Sequence, residues 1–271
     1  MIFSIFEDLR AGDQQNLQNP KFANKDDLAI WISTTLIQAL NQLIDLTSCY
    51  FDKLLFLLPQ TLNLLKSCLI SDNETLSRIG STCLQKLVDK NLTKLDASAW
   101  EMIATFFVEL FEETTPYFLF FRLDGPDDQY CAKLPYLKQP LPPPPDRKEF
   151  QKLVPKCSLH SVAVQTLQDV LSTGNNETVI CSIPGVSLLR LMDCFRKSHR
   201  FASDFNECIG LRNALHKMGY MTQVPNLLKI ETTSANFYLD TLIKLYSGKH
   251  PLKHDFKDQV EQQLMPYYIF T

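Results

Sequence analysis

Residues 188–206 read LLRLMDCFRKSHRFASDFN. Wound at 3.6 residues per turn, Leu188, Leu191, Met192, Phe195, Ser198, Ala202 and Phe205 share one face, and Arg196, Lys197, Arg200 and Asp204 share another. His199 sits at the seam. Asp193 precedes Lys197 by four residues, an orientation that supports a helix by about 0.2–0.5 kcal/mol. The stretch therefore carries an apolar stripe for a core and a basic ridge for solvent. Such a ridge reads first as a solvated face. It can also receive an acidic partner or a phospholipid headgroup.

The same period runs outward in both directions. Asp26 and Asp27 open a segment whose apolar positions include Ile32, Leu36, Leu40, Leu43, Tyr50, Leu54 and Leu58, with Pro59 ending or bending it. A second helix follows through Leu62, Leu65 and Leu69. Ser71 to Glu74 form a turn and cap before a helix carrying Leu76, Ile79, Cys83, Leu87 and Val88. Gly80 inside that helix costs about 1 kcal/mol against alanine, which points to close approach of a neighbouring helix. Ser98 and Glu101 have capping-box spacing before Ile103, Phe107 and Leu110. After the Pro-rich stretch, helices resume near Arg147 with Pro155 expected to interrupt or kink the first. Later helices begin near Pro184, run from Leu211 to Met218 with a stop at Gly219, and follow Pro225-Asn226 as far as Gly248. A last one turns on Val260 and Leu264.

No strand is expected. The fold class is all-α, a HEAT- or armadillo-like solenoid of antiparallel helix pairs with degenerate repeats. The expected organisation is a first helical array over 1–121, a Pro-rich linker over 122–146 and a second array over 147–271. KQPLPPPPD (138–146) reads as an exposed polyproline II spacer rather than an SH3-type ligand, since no arginine flanks it at the usual distance. The uncapped apolar start MIFSIFEDLR suggests a chain cut from a longer array.

Composition narrows the function. The 271 residues carry a net charge of −3, which gives no field for holding nucleic acid. The eight cysteines stand singly, with no C-x-x-C and no Cys/His pair at zinc spacing, so they read as free core thiols of a reducing compartment. The N-x-T triplets at Asn73, Asn91 and Asn176 read as chance matches. The greasiest run, YFDKLLFLLPQTLNLLKSCLI, is broken by Lys53, Pro59 and Lys66 and is too interrupted to span a bilayer. No P-loop, G-x-S-x-G or dinucleotide fingerprint is present. His250 and His254 are spaced for a helical chelate, but Pro251 between them argues against helix. The acidic pairs Glu112-Glu113 and Asp127-Asp128 read as solvent-facing. Neither a catalytic constellation nor a cofactor or metal site is expected.

WISTTLIQAL (31–40), DNETLSRIGSTCLQKLV (72–88), LLRLMDCFRKSHRFASDFN (188–206) and VPNLLKIETTSA (224–235) resemble, in order, segments of the C-terminal half of the large Sec7/BIG-type Arf guanine nucleotide exchange factors, with fungal-type Sec7 proteins closest. These are the regions downstream of the catalytic Sec7 domain. Ser77 stands where the family usually has alanine, His216 where it tends to have tryptophan, and Ile230 where glutamine is common. The resemblance implies an α-solenoid without exchange activity, since the Sec7 motifs are absent. It implies a regulatory segment that binds activated small GTPases of the Arf and Rab types, contacts other segments of the same exchange factor and supports peripheral association with trans-Golgi membranes from the cytoplasm. Candidate partner-binding residues are Arg196, Lys197, Arg200 and Asn206 in one segment, and Asn226, Lys229 and Glu231 in the other. The competing reading is a purely architectural scaffold or dimerisation module without GTPase contact.

Overall fold

In the computed structural model, the described residues are 35, 37–71, 73–123, 134–137, 140–172, 176–220 and 227–246. They form ten α-helices and no strand: α1 Ile37–Cys49, α2 Phe51–Leu54, α3 Leu58–Leu69, α4 Glu74–Asn91, α5 Ala97–Thr114, α6 Arg147–Leu171, α7 Asn176–Ser182, α8 Gly185–Glu207, α9 Ile209–Lys217 and α10 Leu227–Tyr246. Short 3-10 turns cover Leu55–Leu57 and Tyr117–Leu119. The expected helices at Asp26, beyond Gly248 and around Val260, the histidines 250 and 254, and Asn226 lie outside the described residues. The chain divides into two compact units, 1–106 with 169–182, and 107–168 with 183–271, so that α5 and α6 each contribute to both.

In the first unit, α1, α3 and α4 pack through apolar stripes that include Leu40, Ile44, Leu65, Leu84 and Val88, all buried. The order of contacts fixes the helix directions. Ser77 Oγ donates to the Leu69 carbonyl at 3.0 Å, and a Cβ built at Gly80 falls 3.4 Å from the Leu65 carbonyl, so α3 and α4 run antiparallel. Asp45 takes ion pairs from Lys86 and Lys90, and Asn91 donates to Ser48 at 3.0 Å, so α1 and α4 run parallel. The two lysines hold the Asp45 carboxyl below its usual range.

Gly80 is needed for the close approach expected of it. A Cβ there would stand 2.9 Å from the Cys68 Cβ and 3.3 Å from the Leu69 nitrogen. Asn73 caps α4 as anticipated, accepting from the Leu76 N–H at 3.1 Å.

Four local expectations are corrected. The long stripe through Leu58 is not one helix: it breaks at Tyr50, which is 54% exposed, and a new helix opens with Pro59 in its first turn. The cap of α5 is Asp96, whose Oδ1 accepts from the Ala99 N–H at 2.8 Å, so Ser98 lies inside the helix. Pro155 does not interrupt α6, which runs unbroken for 25 residues. The stretch before α6 is not simply an exposed spacer: Leu134, Leu137 and Leu141 are buried, and the Pro142 carbonyl accepts from the Arg122 N–H at 2.8 Å.

In the second unit, α8 and α10 form the most extensive helix pair. Asn206 meets Glu231, and Phe195 meets Phe237 with ring centroids 4.8 Å apart, so the two helices are antiparallel. Every member of the stripe from Leu188 to Phe205 is buried as its spacing required. His160 of α6 is wholly buried beside Phe111 and Phe201. An Asp146–Glu149 capping box starts α6, each side chain accepting from the other's backbone N–H, at 2.8 and 3.3 Å. Gly219 follows α9 at φ +74°, the left-handed stop that glycine tolerates.

Candidate partner-binding site

The basic ridge of α8 opens onto a cleft of about 350 Å³. Arg196, Lys197 and Arg200 line it, spaced so that one helical face projects all three. The last turns of α5 bring Glu112, the 3-10 turn brings Tyr117, and residues 134–137 bring Tyr136. Phe201 closes the floor, its ring edge-on to Tyr117 at 5.7 Å. A narrower recess adjoins the cleft and shares Glu112, Tyr117 and Lys197 with it, so Lys197 stands between the two.

Each base has a carboxylate on its own helix. Arg196 donates to Asp193 from Nε at 2.8 Å and from a terminal nitrogen as well. Lys197 lies 3.0 Å from the other Asp193 oxygen, and this bond holds its pKa above the usual lysine value. Arg200 is held more loosely. Its Nε is 3.8 Å from Asp204, beyond hydrogen-bond distance, and that same oxygen already accepts the Tyr136 hydroxyl at 2.7 Å. The Arg200 guanidinium lies 5.7 Å from the Tyr136 ring centroid, within cation–π range. Burial, reinforced by the Asp204 carboxylate, pushes the Tyr136 phenol well above its ordinary pKa, so Tyr136 stays a neutral donor. Burial raises Tyr117 in the same sense.

The remaining candidates divide. Asn206 and Glu231 meet each other: Asn206 Nδ2 donates to Glu231 Oε2 at 2.6 Å, while the Glu231 carbonyl accepts from His199 Nδ1 at 3.3 Å. Both side chains are committed to the α8–α10 seam and are half-buried. Lys229 is exposed and borders a separate small recess with Ser161 and Gln165. Tyr117, Tyr136 and Glu112 were not reached from the sequence as cleft residues. The periodicity of α8 contains no signal for a tyrosine 68 positions away from Asp204. No group of acidic, histidine and cysteine side chains able to hold a metal occurs among the described residues. Nor is any described helix long and apolar enough to cross a membrane.

Comparison with known proteins adds the lineage. Residues 158–269 match the family model described as the BIG2 C-terminal domain. The chain is 33% identical over 260 residues to the ADP-ribosylation factor guanine nucleotide-exchange factor sec72 of Schizosaccharomyces pombe, covering 89% of this chain and 14% of that protein. It is 27% identical over 340 residues to SEC7 of Saccharomyces cerevisiae, an exchange factor of the same description, covering 94% and 17%. Human brefeldin A-inhibited guanine nucleotide-exchange protein 1 is 23% identical over 338 residues, covering 98% and 18%. The chain thus spans less than a fifth of the length of these relatives. No solved structure matches it.

Proposed function

Over most of its length this chain is homologous to the Sec7/BIG-type Arf guanine nucleotide-exchange factors, and from that premise we propose that it is a non-catalytic interaction segment of such a factor. It binds small GTPases of the Arf or Rab type, contacts other segments of the same factor and helps hold the factor on the cytoplasmic face of trans-Golgi membranes. The observation that carries this reading is the extent of the match: nearly the whole chain aligns, yet it accounts for less than a fifth of proteins named as guanine nucleotide-exchange factors. The helix directions support a solenoid, because α1 and α4 run parallel while α3 opposes α4, the alternation that stacked helical hairpins produce. Arg196, Lys197 and Arg200 are the proposed contact surface.

The test is capture of Arf and Rab proteins loaded with GTP or GDP by the purified chain. Preference for the GTP form is expected. Equal or absent capture in both states removes the GTPase from the reading. Stimulated nucleotide release by this chain alone contradicts its non-catalytic role.

A scaffold without GTPase contact is the second reading. Its specific support is that every base on the ridge already has an aspartate on its own helix. Light scattering tests self-association directly, and a strict monomer at high concentration excludes a dimerisation role.

A further inference from the structure

We propose that the cleft between α8, the end of α5 and residues 134–137 binds an acidic peptide segment of a partner protein in which an apolar side chain sits beside carboxylates. This rests on the reading of the chain as an interaction segment and supplies the ligand chemistry of its ridge. The cleft has two chemically distinct parts. Its floor is aromatic, made by Tyr117, Tyr136 and Phe201, and Tyr117 remains 40% exposed. Its rim carries three bases, Arg196 and Lys197 paired with Asp193 and Arg200 held only loosely by Asp204, beside the single carboxylate of Glu112 among the lining residues. A ligand that matches both parts needs an apolar group and anionic groups within one residue spacing of each other. An inositol phosphate headgroup satisfies the rim but leaves the aromatic floor facing water, so the peptide is the better match.

The state of Arg200 favours the same occupant. Its guanidinium lies 5.7 Å from the Tyr136 ring centroid, and its nearest carboxylate oxygen is engaged by the Tyr136 hydroxyl. Its donor fork can turn to a visiting carboxylate without first breaking a short ion pair. The adjoining recess past Lys197, about 30 Å³ and bordered by Asp193 and Ser198, holds little more than a water, so the ligand's contacts lie in the larger cleft. Glu112 and Asp193 there repel further acids, so the acidic positions of the ligand belong at the Arg200 end.

The experiment uses the full chain and fluorescence anisotropy with three synthetic peptides: glutamate alternating with leucine and phenylalanine, the same peptide with glycine at the apolar positions, and the same with lysine for glutamate. The first is expected to bind and the other two at least about tenfold more weakly. Arg200→Glu should lower affinity for the first peptide by about tenfold or more, and Tyr117→Ala by several-fold. Unchanged affinity in both variants, or equal binding of all three peptides, overturns the proposal. Vesicles of phosphatidylserine and phosphatidylcholine are the competing arm. Displacement of the peptide by them overturns the peptide as occupant and makes the ridge a lipid-facing surface. Capture of GTP-loaded GTPases is measured on the unaltered chain and the same variants. Failure of the unaltered chain to bind the first peptide while it captures GTP-loaded GTPases sinks the cleft and leaves the proposed function standing, whereas peptide binding by the unaltered chain without capture does the reverse.

Discussion

Nε2 of His160 lies 3.0 Å from the Ser198 hydroxyl, a group that can either donate to the ring or accept from it. On the other side, Nδ1 is 3.2 Å from Thr114 Oγ1, whose own hydrogen is already given to the Leu110 carbonyl at 2.8 Å. Thr114 can therefore only accept, so Nδ1 carries a proton, and in the ring that burial keeps neutral Nε2 accepts from Ser198. The ring is neutral with both nitrogens satisfied, and burial lowers its pKa from 6.5 to about 4.

A pH dependence follows, with its sign. The unfolded chain takes up a proton on His160 below 6.5, whereas the folded one resists until about 4. The stabilising effect is complete above pH 6.5 and is lost progressively as pH falls towards 4, a change of order 3 kcal/mol. Urea unfolding across that window should show a declining midpoint. His160→Leu should flatten the decline while lowering stability at neutral pH by about 2 kcal/mol, because Ser198 loses its partner. An undiminished slope in the variant assigns the titration to other groups.

Gly80→Ala should destabilise the first unit by about 1–3 kcal/mol, despite alanine's better helix propensity. The added methyl meets the Cys68 Cβ and the Leu69 backbone, neither of which is the free end of a flexible chain. Thermal unfolding checks it. A stabilised variant means that α3 and α4 can separate without cost.

Asn206→Ala should loosen the α8–α10 seam by about 1 kcal/mol or more and raise hydrogen exchange at the start of α10, since Glu231 is left without its amide donor. Arg212 also donates to the Asn206 carbonyl at 3.0 Å, a bond the variant retains, so α9 should be unaffected.

Thiol reactivity should separate into two classes. Cys49 and Cys181 are exposed, while Cys68, Cys83, Cys157, Cys194 and Cys208 are buried. Burial pushes Cys83 up to about 11 and Cys68, Cys157 and Cys194 to about 12, so their thiolates are scarce at neutral pH. A maleimide followed by mass spectrometry should label Cys49 and Cys181 first. Labelling of Cys68 or Cys157 at the same rate contradicts the packing around them.

What the sequence disclosed was whatever repeats along one helix. The stripe of α8, the reason for Gly80 and the cap at Asn73 are local, and each was readable from spacing alone. Errors arose where chemically equivalent signals competed. Asp96 caps as well as serine and comes two residues earlier, so the Ser98 box never forms. Pro155 was tolerated because it and Gln151, whose carbonyl loses its partner, are both exposed to water. The cleft was half legible: its bases share one helix, but its aromatic floor is assembled from residues 117, 136 and 201 by tertiary packing. The roles of Asn206 and Glu231 as mutual partners were hidden for the same reason, since 25 positions separate them.

The phenolic oxygen of Tyr136 acts as a dial on the ridge's effective charge. While it donates to Asp204 Oδ2, Arg200 Nε stays 3.8 Å from that same oxygen. Remove that one atom, as Tyr136→Phe does, and the ring remains beside Arg200 but the freed carboxylate oxygen can draw the guanidinium closer. The number of cations offered to a visitor is thus set by an uncharged neighbour in a stretch that looked, from its prolines, like mere connection.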